Sequence, residues 1–292
     1  MQTVYIGNTL VNDVMLGSQR MDDVFTKFIG NDQNVKNFVN ATGITNYDTI
    51  NALDTFVTTL KNDGIWTKLY SLYPFVGGTQ NTNRVNLINT ASYNLGFSGS
   101  WVYNDNGISS NGIDAWADTS FYPSGSVTDY VINSSMAVFV RTDTTSSGYD
   151  MGAETNSPSP GIVRNYFISK NAASTAQYDI GLNALTTPSA VTGSGFWVAT
   201  VSGSDSNNQR IYRNGTNLAS KTNLIGTHQT PTSSIAIAAN NRGGGFVPSP
   251  GPNSFTSESY SLASIGKGFT NTQASTYNTA VQAFQTALGR NI

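Results

Sequence analysis

The sequence predicts a mainly β protein: a sandwich or jelly roll with an N-terminal β-repeat arm and two flanking helices. Three observations predict it. From about residue 76 to 269, short β-branched and aromatic runs recur between Gly, Asn and Ser turns, the pattern of a two-sheet fold. A ten-residue unit is repeated at the N-terminus, Ile6-Gly7-Asn8-Thr9-Leu10-Val11-Asn12-Asp13-Val14 and then Leu16-Gly17-Ser18-Gln19-Arg20-Met21-Asp22-Asp23-Val24. Convincing helical periodicity is confined to two segments, about 46–62 and 271–288. The 292 residues therefore divide into a β-ribbon arm (1–27), a connector with one amphipathic helix (28–75) and a sandwich closed by the C-terminal helix (76–292).

Each repeat unit reads as strand, Gly-Asn or Gly-Ser turn, and returning strand. A two-stranded hairpin is marginal in water, so the rest of the chain, another copy or a different protein must cover this ribbon. It is expected to be an assembly arm whose contacts come from Val4, Ile6, Leu10, Val14, Leu16, Met21, Val24 and Phe25. Residues 28–45 are polar and poorly periodic, an extended connector with turns at Gly30 and Gly43. Thr45 and Asp48 have capping-box spacing ahead of a helix whose apolar face is Ile50, Leu53, Phe56, Val57 and Leu60, and Asp63-Gly64 stops it. A second apolar stretch, Ile65 to Tyr73, ends at Pro74.

Within the sandwich the clearest strands are Ala137–Val140, Phe196–Val201, Arg210–Arg213 and Ile235–Ala238. Asn214-Gly215 is a strong type I′ hairpin signal. Ser157–Gly161 and Pro248–Pro252 are stiff, exposed loops by composition. Thr270 and Gln273 open the last helix as a capping box, Tyr277, Ala280, Val281, Phe284 and Leu288 form its buried face, and Gly289 closes it.

Charged residues make up 11% of the chain against a usual figure of about 25%, so Ser, Thr, Asn, Gln and Gly must cover the surface. Such a surface suits dense packing in an assembly and hydrogen bonding to neutral sugars. The net charge is −2 without a basic cluster, which argues against nucleic acid as a partner. There is no Cys, hence neither a disulfide framework nor a thiolate zinc site. Met1 to Leu10 lacks the pattern of a secretory signal, and no apolar run is long enough to span a membrane.

The hairpin Gln209-Arg210-Ile211-Tyr212-Arg213-Asn214-Gly215 resembles the strand–Asn-Gly–strand element of concanavalin A-like and laminin G-like jelly rolls, and Tyr260 to Thr270 resembles their closing strand. The N-terminal repeat is similar to short β-repeats that open bacteriophage virion proteins. Leu60 to Trp66, Tyr73 to Gly78 and Val281 to Arg290 are similar to later segments of those virion proteins. Together these short motifs cover most of the chain. The resemblance implies a virion surface protein of a fibre, spike or tail, assembled in the host cytoplasm as a homo-oligomer. It would dock to other virion proteins through residues 1–27 and present its jelly roll to a host surface glycan. The alternative is a capsid decoration or joining protein without a ligand. Because laminin G-like modules often carry one ion near a rim, the resemblance also raises a Ca2+ site at Asp143, Asp150 and Asn156; no other cofactor is expected.

Catalysis is not expected. A glycosidase needs two flanking carboxylates, and the two glutamates, Glu154 and Glu258, lack the Glu-x-Asp-x-Glu spacing of jelly-roll glycosidases. Asp114 and Asp118 would lie roughly 13 Å apart on a strand, too far for a typical pair. His228, the only histidine, has no nucleophile elbow beside it, and Gly193-Ser194-Gly195 leads into a strand. A polysaccharide-degrading enzyme is therefore the weakest reading. Sugar recognition needs an aromatic platform among neutral hydrogen-bonding groups. Trp101, Tyr103, Trp116 and Phe246 are the candidates, with Trp101 and Trp116 expected in the core. The loop from Asn240 to Asn253, with Asn240, Asn241, Arg242 and Phe246, is the expected glycan or subunit contact.

Overall fold

The computed structural model describes residues 4–6, 9–11, 32–145, 148–156, 162–181, 184–188, 191–202, 208–222, 230–243 and 251–292. Two short strands, β1 (Val4–Ile6) and β2 (Thr9–Val11), pair antiparallel with Val4 opposite Val11. This is the first unit of the ribbon, and it carries Val4, Ile6 and Leu10. Val14, Leu16, Met21, Val24 and Phe25 lie outside the described residues.

Two helices come next, α1 (Gln33–Thr42) and α2 (Tyr47–Asn62). The first corrects the expectation of an extended connector. Asp32 caps it by accepting from the Asn34 amide, Gly43 ends it at φ 71°, and Val35, Phe38 and Val39 form its buried face. That helical spacing is diluted by Asn, Gln and Lys on the exposed face. In α2 the cap is Asn46, which accepts from the Thr49 amide, rather than a Thr45–Asp48 box. After a 3₁₀ turn at Trp66–Lys68 the chain enters β3 (Leu69–Tyr73), and a single turn of helix, α3, spans Gln80–Asn83.

The remaining strands are β4 (Gly96–Ser98), β5 (Trp101–Asn104), β6 (Gly107–Ser110), β7 (Trp116–Asp118), β8 (Ser134–Val140), β9 (Met151–Asn156), β10 (Ile162–Ile168) and β11 (Gln177–Ile180). They continue as β12 (Leu185–Thr186), β13 (Gly195–Ser202), β14 (Asn208–Arg213), β15 (Thr216–Thr222), β16 (Ala236–Ile237), β17 (Asn240–Gly243), β18 (Gly251–Asn253) and β19 (Ser259–Gly266). Helix α4 (Asn271–Ala287) closes the chain.

Two large sheets result. Sheet I runs β12-β11-β10-β9-β16-β7-β4, with β17 added parallel to β9 and β18 antiparallel to β17. Sheet II runs β15-β14-β13-β8-β19-β6-β5, and β3 shares an edge of β19 with β6. The fold is thus mainly β, a two-sheet sandwich. The β-domain begins at Leu69 rather than residue 76, because β3 pairs with β19 through Tyr73 opposite Ala263. The Asn214-Gly215 turn joins β14 to β15 with φ 48° and 76°, the left-handed pair that a type I′ turn requires. Gly107 has another reason to be glycine: a Cβ there would lie 2.0 Å from the Tyr260 carbonyl oxygen.

Alternation along the strands makes two cores. Between the sheets, Met136, Val138, Val140, Met151, Phe167, Tyr178, Trp197, Ile211, Ile237 and Ile265 interdigitate. On the outer face of sheet II, Ala137, Phe139, Phe196, Val198, Tyr212 and Leu262 meet the helices. Phe56 of α2 and Phe284 of α4 stack there at 4.5 Å. The capping box at Thr270 and Gln273 is present, so α4 starts where the sequence places it.

Phe284 is 2% exposed, so Phe284→Ala is expected to cost about 3–5 kcal/mol in chemical denaturation. Arg290, equally buried, donates to the backbone carbonyls of Pro74, Phe75 and Ser261. Arg290→Met is expected to cost about 3–5 kcal/mol, because unpaired buried acceptors carry about 1–3 kcal/mol each. A loss under about 1 kcal/mol in either variant would show the helical layer to be peripheral.

Candidate functional site

The helices occupy the outer face of sheet II, and the outer face of sheet I carries no described helix. Its chemistry is set by register. Tyr166 on β10 stands opposite Gly152 on β9 and Asp179 on β11, and Arg164 stands opposite Glu154. On the other side of β9, Arg242 of β17 is the partner of Glu154, and Asn240 is the partner of Gly152. Glu154 is therefore flanked by arginines from both neighbouring strands.

The contacts are specific. Arg242 Nε donates to Glu154 Oε1 at 2.8 Å and Asn240 Nδ2 donates to Oε2 at 2.9 Å. Arg164 Nε lies 3.4 Å from Asp179 Oδ2, with its guanidinium 5.8 Å from the Tyr166 ring centre. Tyr149 meets Tyr166 edge-on at 4.4 Å. Glu154, Asp179 and Tyr166 are buried, whereas the side chains of Arg164 and Arg242 keep 37% and 27% exposure. Arg242 engages a buried carboxylate through a hydrogen bond from Nε, whereas Arg164 Nε lies at ion-pair distance from one. Burial pushes the Tyr149 and Tyr166 hydroxyls above their ordinary range, so both remain neutral donors at physiological pH.

This placement revises the expected contact loop. Asn240, Asn241 and Arg242 lie on a strand of a β17–β18 hairpin, not on a loop. Arg242 belongs to the face, and Asn240 is buried under it, 1% exposed. Asn241 donates instead to Ser234. Phe246 and His228 lie outside the described residues. Tyr149, Tyr166, Arg164 and Asp179 were not among the residues that the sequence singled out. One signal was present: Arg164-Asn165-Tyr166 in a strand places Arg and Tyr on the same face.

The other aromatic candidates sit at the far edge. Trp101 and Tyr103 are half-buried against Phe97 at 5.3 and 5.4 Å, and Trp116 is half-buried on β7. Asp114 and Asp118 serve turns, accepting from the amides of Ser100 and Ser120.

The residues raised for Ca2+ are engaged elsewhere. Asp143 accepts from Lys170 Nζ at 2.8 Å and from the Gly193 amide at 2.6 Å, which hold its carboxyl below the usual range. Asp150 is buried, accepting from the Ser169 amide and from the Tyr260 hydroxyl at 2.9 Å; burial raises its pKa. The side chain of Asn156 lies outside the described residues. Among the described residues, no three His, Asp or Glu side chains gather as a metal would need.

A second carboxyl shares that region. Glu258 is buried and receives the hydroxyls of Thr142 and Thr144. Burial, and then the charge of Asp150, raise its pKa from 4.5 to about 7, while the two hydroxyls and the more distant Asp143 act as smaller influences in opposite directions.

Neither a protein-family profile nor a curated protein sequence matches the chain. Solved structures resemble it. A Trypanosoma rangeli sialidase in complex with sialic acid is 13% identical at a TM-score of 0.50, over 78% of this chain and 38% of that one. Domain 4 of AbnA, a GH43 extracellular arabinanase from Geobacillus stearothermophilus in complex with arabinotriose, is 16% identical at a TM-score of 0.46, over 72% of this chain and 98% of that one. A heptameric SAP-like pentraxin from Limulus polyphemus is 14% identical at a TM-score of 0.32, over 49% and 68% of the two chains. The present chain thus spans well under half of the sialidase, and at 13% identity that likeness is one of fold alone. It still corrects the expectation of a bacteriophage virion surface protein, and with it the decoration or joining alternative. None of these three is a virion protein. Among the described residues no helix is long and apolar enough to cross a membrane.

Glu258 makes stability depend on pH in a defined direction. Its pKa rises on folding, so the folded chain retains a proton that the unfolded chain has released. The contribution is full below about pH 4.5 and is lost as pH rises through about 7. Asp150, whose pKa burial also raises, adds to this decline. In a thermal-unfolding series, Glu258→Gln is expected to flatten the decline across this window and to be more stable than the parent above it. An unchanged decline would remove Glu258 as its cause.

Proposed function

We propose that the chain is a carbohydrate-binding β-sandwich of the concanavalin A/laminin G-like jelly-roll type, acting by recognition and not by hydrolysis. The observation that carries this is the outer face of sheet I, which no described helix covers. There the partly exposed Tyr149, edge-on to the buried Tyr166, is bordered by two partly exposed arginine side chains, Arg242 hydrogen-bonded through Nε to Glu154 and Arg164 at ion-pair distance from Asp179. A sugar ring offers apolar C–H faces and a rim of hydroxyls. Aromatic edges meet the first, and fixed planar donors meet the second. Pre-orientation matters because an arginine already held loses little side-chain entropy on binding. The low charge of the whole chain agrees with a neutral, hydroxyl-rich ligand.

Recognition without catalysis at this face is supported by the state of its own carboxylates. Both oxygens of Glu154 are taken by Arg242 and Asn240, and Asp179 is buried beside Arg164. Neither resembles a general acid poised over a scissile bond.

A glycan array and then calorimetry on the best saccharide test the proposal. Tyr149→Ala and Arg164→Ala are each expected to weaken saturable binding tenfold or more while leaving the thermal midpoint within a few degrees. Binding that survives both substitutions would move the site off this face. Release of reducing ends from a polysaccharide panel would overturn recognition without hydrolysis.

A further inference from the structure

Both sheets end on the same side of the sandwich. Strand β4 is the last of sheet I and β5 the last of sheet II, and only Gly99 and Ser100 separate them. Among the described residues, β5 pairs with β6 alone. The register fixes which of its peptide groups are already used. Asn104 stands opposite Gly107 across a two-residue turn, so Asn104 and Val102 exchange hydrogen bonds with Gly107 and Ser109. The Ser110 amide turns the other way and donates to the Glu258 carbonyl, as this alternation requires. The peptide groups of Trp101 and Tyr103 therefore point away from β6, out of the edge of the sheet.

Apolar side chains flank these free groups. Tyr103 stands opposite Ile108, which belongs to the core between the sheets, so Trp101 and Tyr103 face inward, half-buried against Phe97. Val102 faces the other way and is 59% exposed. Ile113, 75% exposed, is close by, because the next residue, Asp114, accepts from the Ser100 amide at the start of β5. Strand β5 itself carries no charged residue, no proline and no bulge, three devices that keep a free strand from pairing.

We propose that β5 pairs antiparallel with β5 of a second copy of this chain, about a two-fold axis through Val102. The run Trp101-Val102-Tyr103 is self-complementary in that register. Trp101 of each copy exchanges both backbone hydrogen bonds with Tyr103 of the other, which satisfies the peptide groups that β6 leaves free. On the outer side Val102 meets its own equivalent as a close, non-hydrogen-bonded pair. On the inner side Trp101 and Tyr103 of opposite copies adjoin, and aromatic cross-strand pairs of this kind stabilise sheets. A slip of one residue would set the outward Val102 against the inward Tyr103, so the faces of the sheet select the register. The contact is small, four residues in each strand, and belongs at the weak end of specific interfaces. Sheet II becomes continuous through both copies, and the outer faces of sheet I point the same way. The pairing is independent of saccharide binding at those faces.

The test is sedimentation equilibrium of the full chain, with disulfide trapping to read the register. From about 1 to about 300 µM the parent is expected to move from monomer to dimer, as a small interface allows. Val102→Lys places a charge on the free edge and should weaken association by about tenfold or more. Its thermal midpoint as a monomer should stay within a few degrees, because the side chain is exposed. The chain has no Cys, so Val102→Cys introduces a single thiol. Facing its equivalent across the axis, that thiol should form a disulfide-linked dimer under mild oxidation. Ser220→Cys, exposed on the edge strand β15, should remain a reduced monomer. A parent that stays monomeric throughout overturns the proposal and leaves the edge to a strand of a different protein. A dimer that survives Val102→Lys, or trapping at residue 102 no faster than at residue 220, places the contact elsewhere and overturns it as well.

Discussion

Arg290 is the pin on which the two layers of the molecule depend. It comes directly after Gly289, whose φ of 65° turns the chain back after α4. Its guanidinium reaches the carbonyls of Pro74, Phe75, Asp105 and Ser261 and the side chain of Gln285. Those acceptors belong to the exit from β3, the β5–β6 turn, the central strand β19 and α4 itself. Burial pushes its pKa from 12.5 down to about 9, with Arg141 adding to the fall, yet it remains protonated at neutral pH. No carboxylate among the described residues accepts from it. The charge is solvated by backbone dipoles, a geometry that can be met only when sheet II and α4 are both in place. Phe75, at φ 44°, holds a left-handed backbone that few non-glycine residues adopt, and its carbonyl is one of the atoms held.

That pin sets the asymmetry of the sandwich. Once α4 lies on sheet II, α2 packs beside it through Phe56 and Phe284, and α1 packs on α2. The outer face of sheet II then becomes a second hydrophobic core. Sheet I receives no such cover from the described helices, and its outer face carries Glu154, Arg164, Tyr166, Asp179 and Arg242 beside Ile162 and Ile168. The same alternation that buries Met151, Ala153 and Phe167 against sheet II directs these polar partners outward. Structure and candidate function thus divide between the two sheets.

A chain with few ions must fix its loops by other means, and here asparagine does so. The Asn86 side chain accepts from the amides of Leu72 and Ile88 and donates to Ser92, tying β3 to the segment behind it. Asn111 gathers the amides of Ile113, Asp114 and Ala115, Asn171 those of Ala173 and Thr175, and Asn214 that of Phe196. A neutral amide both donates and accepts, so it satisfies buried backbone without the desolvation cost of a charge. The Ser, Thr and Asn richness that suggested a sugar-like surface is therefore partly internal scaffolding.

Local chemistry was sufficient for some elements. The Asn214-Gly215 hairpin, the Thr270–Gln273 cap, the amphipathic faces of α2 and α4 and the alternation of the main strands were all legible, because each depends on residues within one or two turns of chain. Helix α1 escaped because its exposed positions are Asn and Gln, which dilute a real Val35–Phe38–Val39 stripe. The candidate site was legible only at Arg242 and its neighbours. Tyr149, Glu154, Arg164, Tyr166 and Asp179 come from segments that meet by register, and β17 joins β9 in parallel, a pairing with no local signal. Short-range hydrogen bonds and periodicity, both readable along the chain, were enough for the β-rich class and for the elements built from them. Which strands adjoin, which sheet the helices cover and which charges face one another were decided by tertiary structure, because those contacts are set by packing between segments distant along the chain.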